Sequence, residues 1–134
     1  MIIYNIELII YSNIQIKEIM EVIVNFFGEK INFSLPNNYP LLTHQISEIL
    51  NVQYKELITK FNISYYDDKK ELIHIMDDEQ YKIFLNFVLK MNNKIELIID
   101  LNEKSKKDKL NFDFVQYILE NLPYSKSIYP NENK

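Results

Sequence analysis

The chain contains one glycine, Gly28, and the reading of the residues before it decides the whole fold. Residues 12–28, "SNIQIKEIMEVIVNFFG", satisfy two incompatible patterns. As a helix they have a capping box, Ser12 with Gln15. Ile16, Ile19, Ile23 and Phe27 share one face, and Gly28 stands just past the end. As strands, "EVIVNFF", the turn "GE" and "KINFSLP" make a β-hairpin. Periodicity alone does not separate the two.

The rest of the chain is less ambiguous. Residues 2–11, "IIYNIELIIY", are β-branched and aromatic and read as a strand. After the loop "LPNNYP", marked by Pro36 and Pro40, Thr43 is a candidate N-cap, and Leu42, Ile46, Ile49 and Leu50 fall at helical spacing. "QYKELITKF" (53–61) continues as a helical turn or two. "NISYY" and "ELIHIM" alternate as two strands joined by "DDKK". "DDEQYKIFLNFVLKM" opens with three acids, as a helix N-terminus prefers, and Tyr81, Phe84, Leu85, Val88 and Leu89 form its apolar face. "KIELIIDL" (94–101) is the last strand. "NEKSKKDK" (102–109) reads as a solvated charged linker, and 110–122 as an amphipathic helix with Leu110, Phe114, Ile118 and Leu122 on one stripe, Val115 and Leu119 beside it. Residues 123–134 read as a flexible tail.

A chain of 134 residues suits one domain, and 47% hydrophobic residues with ten Tyr and eight Phe suffice for a core without staples. Cysteine is absent, which excludes disulfides and thiolate metal sites. No segment has the roughly 18 uninterrupted apolar residues of a membrane helix, and "MIIYNIELIIYSN" carries Glu7 with no basic leader. The expectation is an intracellular, cytoplasmic protein with no membrane insertion.

Arginine is also absent and the net charge is −4, so neither the guanidinium fork nor a global positive field is available for nucleic acid. Catalytic chemistry has little to work with. The only histidines are His44, in the first turn of an expected helix, and His74, between Ile73 and Ile75 on an expected strand. A lone glycine excludes Gly-rich phosphate loops. Carboxylates are plentiful, but the EF-hand pattern fails for want of its turn glycine and because two lysines occupy the loop. No enzyme activity, cofactor or metal is expected.

The carboxylates themselves are the informative feature. Residues 65–81, "YYDDKKELIHIMDDEQY", hold Asp67, Asp68, Glu71, Asp77, Asp78 and Glu79 around a short alternating strand. Helix capping accounts for Asp77, Asp78 and Glu79 but not for the other three. Like charges held together repel one another unless something offsets them, and a lysine-rich partner surface would do so.

With 22–36 as a hairpin, the order of elements is ββαββαβ, that of the ubiquitin-like β-grasp, an α+β fold. Within it the acidic stretch resembles the acidic motif of PB1 domains, roughly Tyr-x-Asp-x-Asp-Gly-Asp, an apolar alternating strand, then Asp-x-Asp/Glu-Leu entering a helix. Tyr65 or Tyr66 leads, Asp67 and Asp68 follow, Glu71 is the last acid of the turn, Leu72, Ile73 and Ile75 form the strand, and Asp78 with Glu79 opens the helix. The resemblance spans roughly 21–101, with an N-terminal extra strand in 1–20 and the helix 110–122 outside it. It departs from the family at Lys69 and Lys70, which replace an acid and the turn glycine, and at Gln80, which replaces an acid. Val24 or Asn25 falls where the family's key lysine stands, with only Lys30 nearby. What the resemblance implies is a one-sided interaction module. Asp67, Asp68, Glu71, Asp78 and Glu79 would bind a protein with a lysine-rich surface, without head-to-tail polymerisation.

Two alternatives stand beside it. With 13–27 helical, "THQISEILNVQYKELITKF" resembles a helix-turn-helix and "ISYYDDKKELIHI" its wing, giving a winged-helix protein. Its reading helix would offer only Lys55 and Lys60 against Glu56, and an acidic wing tip, which suits protein contact better than DNA. The other is a lineage-specific structural subunit of a large assembly, docked by its aromatic surface and the helix 110–122.

Overall fold

The structure is a computed structural model and describes residues 20–123. The strand expected at 2–11, residues 12–19 of the ambiguous segment and the tail 124–134 lie outside the described residues.

Residues 21–34 are a hairpin, β1 (Glu21–Phe26) and β2 (Glu29–Ser34). The helical reading of 13–27 therefore fails from Glu21 onward, and the winged-helix order fails with it. The turn is Phe27–Gly28, one residue earlier than "GE", with φ of 51° at Phe27 and 95° at Gly28. Positive φ at both central residues gives the turn the twist a two-residue hairpin needs. The Gly28 N–H donates to Asn25 Oδ1 at 2.9 Å and closes it. A helix C′ glycine and this turn glycine satisfy the same demand for positive φ, which is why Gly28 fits both readings of the sequence.

The chain continues as α1 (Tyr39–Leu50), α2 (Tyr54–Lys60), β3 (Phe61–Tyr66), β4 (Leu72–His74), α3 (Asp78–Lys90), β5 (Glu96–Leu101), a 3-10 turn (Ser105–Lys107) and α4 (Lys109–Glu120). The strands form one sheet in the order β2-β1-β5-β3-β4. β1 and β5 run parallel at its centre, and the other neighbours are antiparallel. This is the ubiquitin-like β-grasp, with a C-terminal helix added.

Alternation sends one side of each strand into the core: Val22, Val24 and Phe26 from β1, Leu97, Ile99 and Leu101 from β5, Phe61, Ile63 and Tyr65 from β3. The helices cover that side. Leu42, Ile46 and Leu50 of α1, Leu57 of α2, Tyr81, Phe84 and Val88 of α3, and Val115 and Ile118 of α4 belong to the same core. Two layers around one apolar interior result. The outer side of the sheet is mixed: Asn25, Lys30, Asn32, Asp100 and the pair Ser64–His74, whose Oγ and Nδ1 are 2.6 Å apart, alternate with half-buried Ile23 and Ile98 and exposed Tyr66 and Leu72.

Local details differ from the sequence reading in informative ways. α1 is capped by Asn38, whose Oδ1 accepts from the Leu41 N–H at 2.9 Å, with Pro40 in the first turn. Thr43 lies inside the helix and its hydroxyl donates back to the Pro40 carbonyl. His44 stacks its ring on Tyr54, with the centroids 4.0 Å apart. On α3, Leu89 is exposed and Phe87 packs against the core instead. On α4 the buried stripe is Asn111, Val115, Ile118 and Leu122, while Leu110 is 70% exposed. Residues 102–109 are an ordered connection. Ser105 is buried there, the Asn102 amide donates to the Thr59 carbonyl at 2.9 Å, and Lys106 pairs with Asp100 and Glu103. No helix among the described residues is long and apolar enough to cross a membrane.

Candidate functional site

The acids of residues 65–81 fall into two groups, one at each end of the edge strand β4. Glu71 and Asp77 are six positions apart, so the groups lie at most about 20 Å apart along extended chain. They flank β4, which is an edge strand of the sheet among the described residues, rather than forming one cluster.

The first group is the β3–β4 turn. Asp67 is committed to the turn itself: its Oδ1 accepts from the backbone N–H groups of Lys69 and Glu71, both at 2.9 Å, and its carbonyl accepts from Lys70 N–H at 2.9 Å. Asp is favoured here because its short carboxylate reaches the backbone two residues on. Burial raises the Tyr65 hydroxyl pKa above the ordinary 10.0, and the nearby Asp67 charge adds to the effect. Lys70 has a φ of 64°, so a side chain occupies a left-handed position that glycine would hold without strain. Asp68 and Glu71 are exposed and their carboxylates have no hydrogen-bond or ion-pair partner among the described residues.

The second group opens α3. Asp77 is the N-cap, accepting from Gln80 N–H at 2.8 Å, and Gln80 Oε1 accepts from Met76 N–H at 2.7 Å. Gln80 thus returns a bond to the residue before the cap, a relative of the capping box that a glutamate would make equally well. Asp78 is half-buried between two helix starts: Oδ1 accepts from Tyr39 N–H at 2.9 Å, and Oδ2 lies 3.6 Å from Lys82 Nζ. The positive ends of α1 and α3 therefore both face this carboxylate. Tyr81 anchors the first turn of α3 in the core, its hydroxyl donating to the Pro36 carbonyl at 2.6 Å, and burial drives its pKa well above the tyrosine range. Glu79 alone in this group is exposed without a partner.

Five acids were expected at the site, and the structure gives them different duties. Asp67 and Asp78 hold the fold together, whereas Asp68, Glu71 and Glu79 point to solvent. The Tyr39–Asp78 contact has no local sequence signal, since the two residues are 39 positions apart.

The lysines on the β1–β2 side are already engaged. Lys30 Nζ lies 3.0 Å from Glu96, which also accepts from Asn25 Nδ2 at 3.1 Å. These two hydrogen bonds hold the Glu96 carboxyl below its ordinary pKa. Lys94 lies 3.7 Å from Glu21 and donates to Asn32 Oδ1 at 3.3 Å.

No protein-family model matches the chain, and no curated protein does. Among solved structures it is similar to the AtNBR1 PB1 domain, at 12% identity and a TM-score of 0.47, with 61% of this chain and 98% of that one covered. It is similar to the same domain in a cryo-EM AtNBR1-PB1 filament (L-type), at 11% identity and the same TM-score of 0.47 and coverage.

Proposed function

We propose that this chain is a non-enzymatic protein-interaction module that docks a lysine-rich surface of a partner along the β4 edge. The observation that carries the reading is the set of three exposed carboxylates without partners among the described residues, Asp68, Glu71 and Glu79, at the two ends of β4, the edge strand of the described sheet. Asp67 and Asp78 belong to the same edge and keep one acceptor oxygen directed into the fold, so they shape it more than they bind. Each exposed pair contributes about 0–1 kcal/mol, so the contacts act together, and they set encounter rate and orientation. The module is one-sided, because Lys30 and Lys94 already carry intramolecular carboxylates and do not offer a free basic face to a second copy.

A second reading is favoured by the outer surface of α4. Leu110 and Tyr117 are exposed on the flank of α4 that faces α2, and Phe112 on the opposite flank, which suits a permanent subunit of a larger assembly.

One experiment separates them. The tagged chain is used to capture partners at low salt and at about 0.5 M salt, where the Debye length falls to a few ångströms. The same is done with a variant reversed at Asp68, Glu71 and Glu79. Docking through the edge requires partners lost under both changes. A partner set indifferent to salt and to charge reversal assigns the protein to an assembly held by apolar surface.

A further inference from the structure

The acidic edge is electrostatically thin. In the β3–β4 turn Lys69 and Lys70 sit among the three acids, and at the α3 start Asp77 caps the helix and Asp78 is engaged by Lys82 and the Tyr39 N–H, which leaves Glu79 as the uncompensated charge there. A partner held there by charge alone would be held weakly. An apolar contact beside the acids is therefore needed, and the fold provides one.

A groove of 280 Å³ lies between α1, α2 and the β3–β4 strand pair. Phe61 and Ile75 are buried and form part of its floor, while Tyr54, Ile58 and Met76 line it with 37%, 45% and 66% of their surfaces exposed. Ile58 and Met76 are aliphatic, project beyond the core and have no polar duty. No lysine lines the groove. Its charged border is the α3 start: Met76 directly precedes Asp77, and Tyr39, which lines the groove, donates its N–H to Asp78. Charges from Tyr54 and Asp77 reach the Tyr39 hydroxyl, whose pKa is raised by burial and then by these two neighbours.

We propose that this groove seats a bulky apolar side chain of the docked partner, flanked in the partner's sequence by lysine. The proposal rests on the docking reading above, and it adds where the affinity comes from. Apolar burial in the groove slows dissociation, while the acids at its border select a cationic neighbour and speed the encounter. The thioether of Met76 adapts to side chains of different shape.

The test uses the full chain and two synthetic peptides, acetyl-Lys-Lys-Leu-Phe-Lys-Lys-amide and acetyl-Lys-Lys-Ser-Ser-Lys-Lys-amide, titrated with NMR detection. The Leu-Phe peptide is expected to bind about tenfold more tightly, the effect of one buried apolar side chain, and to shift the signals of Tyr54, Ile58 and Met76. Met76→Ser with Ile58→Ser should erase the difference while leaving the protein folded, and Met76→Ser alone, at a side chain 66% exposed, should reduce the difference with little change in melting temperature. Equal binding of the two peptides, or shifts confined to the outer surface of α4, overturns the proposal. Reversal of Asp68 and Glu71, remote from the groove, tests the docking reading separately. If partner capture ignores that reversal while the peptides still differ, the edge reading falls and the groove stands.

Discussion

Phe27 and Lys70 are the residues whose backbone conformation disagrees most with their side chains. Both sit at positive φ, where an L-residue with a bulky side chain is disfavoured by about 1–2 kcal/mol. At Phe27 the turn prefers asparagine, and at Lys70 glycine. Phe27→Asn and Lys70→Gly should each raise stability by roughly 0.5–1 kcal/mol in urea denaturation, with the slope unchanged. A fall in stability at Phe27→Asn would mean that the edge-on contact with Phe26, ring centroids 4.9 Å apart, outweighs the strain. Glu96 makes the residue-scale prediction for pH. Its pKa is lowered in the fold, so its contribution is present above the unfolded value of about 4.5 and lost as pH falls through the folded value. Glu96→Gln should flatten the acid limb of the stability curve below about pH 4.5, by no more than about 1 kcal/mol for a pair this exposed.

At the scale of elements, α4 shows what a hydropathy pattern reads and what it misses. The stripe Leu110–Phe114–Ile118–Leu122 names the right helix and half of the right face. The buried position in the first turn is Asn111, whose amide donates to the Ser105 carbonyl and whose Oδ1 accepts from Lys60 Nζ, both at 2.9 Å. A polar residue buried because of its hydrogen bonds leaves no apolar signature, so Leu110 took its place in the pattern. Ile118→Ala should therefore cost about 2–5 kcal/mol and Leu110→Ala under about 0.5 kcal/mol by thermal or urea unfolding, which reads the true face directly. The candidate site was legible in the same partial way. The acidic residues stand out in the sequence, but their division of labour does not. The duty of Asp78 depends on Tyr39, brought to it only by the packing of α1 against α3. The hairpin choice at 21–34 was undecidable locally because β-branched residues at alternating and at helical spacing coincide in "IMEVIVNFF". Pairing of β1 with β5 settles it, and that pairing is invisible to any window of sequence.

For the molecule as a whole, tyrosine is the titrating residue that limits the alkaline side. Tyr39, Tyr65 and Tyr81 all have hydroxyls raised above the ordinary 10.0, chiefly by burial. Their contribution is complete below that value and is lost as pH rises past it, because the unfolded chain releases protons that the native one retains. Stability should therefore decline from about pH 10 upward, with delayed tyrosinate absorbance in the native protein. Tyr81→Phe should lessen the decline while costing roughly 1 kcal/mol at neutral pH for the bond to Pro36. Loss of stability beginning well below pH 10 would point to another group. The parallel pairing of β1 with β5 has a further consequence, in time rather than in space. The middle of the sheet is made by β5, the last in sequence of the described strands, with Val24 facing Leu97. Among the described strands, β5 alone joins the β1–β2 hairpin to the β3–β4 pair, so the sheet is continuous only once both edges of β5 are engaged. A sheet closed through so non-local a pairing is expected to form late in folding, with the inner edges of β1 and β3 unpaired until it does.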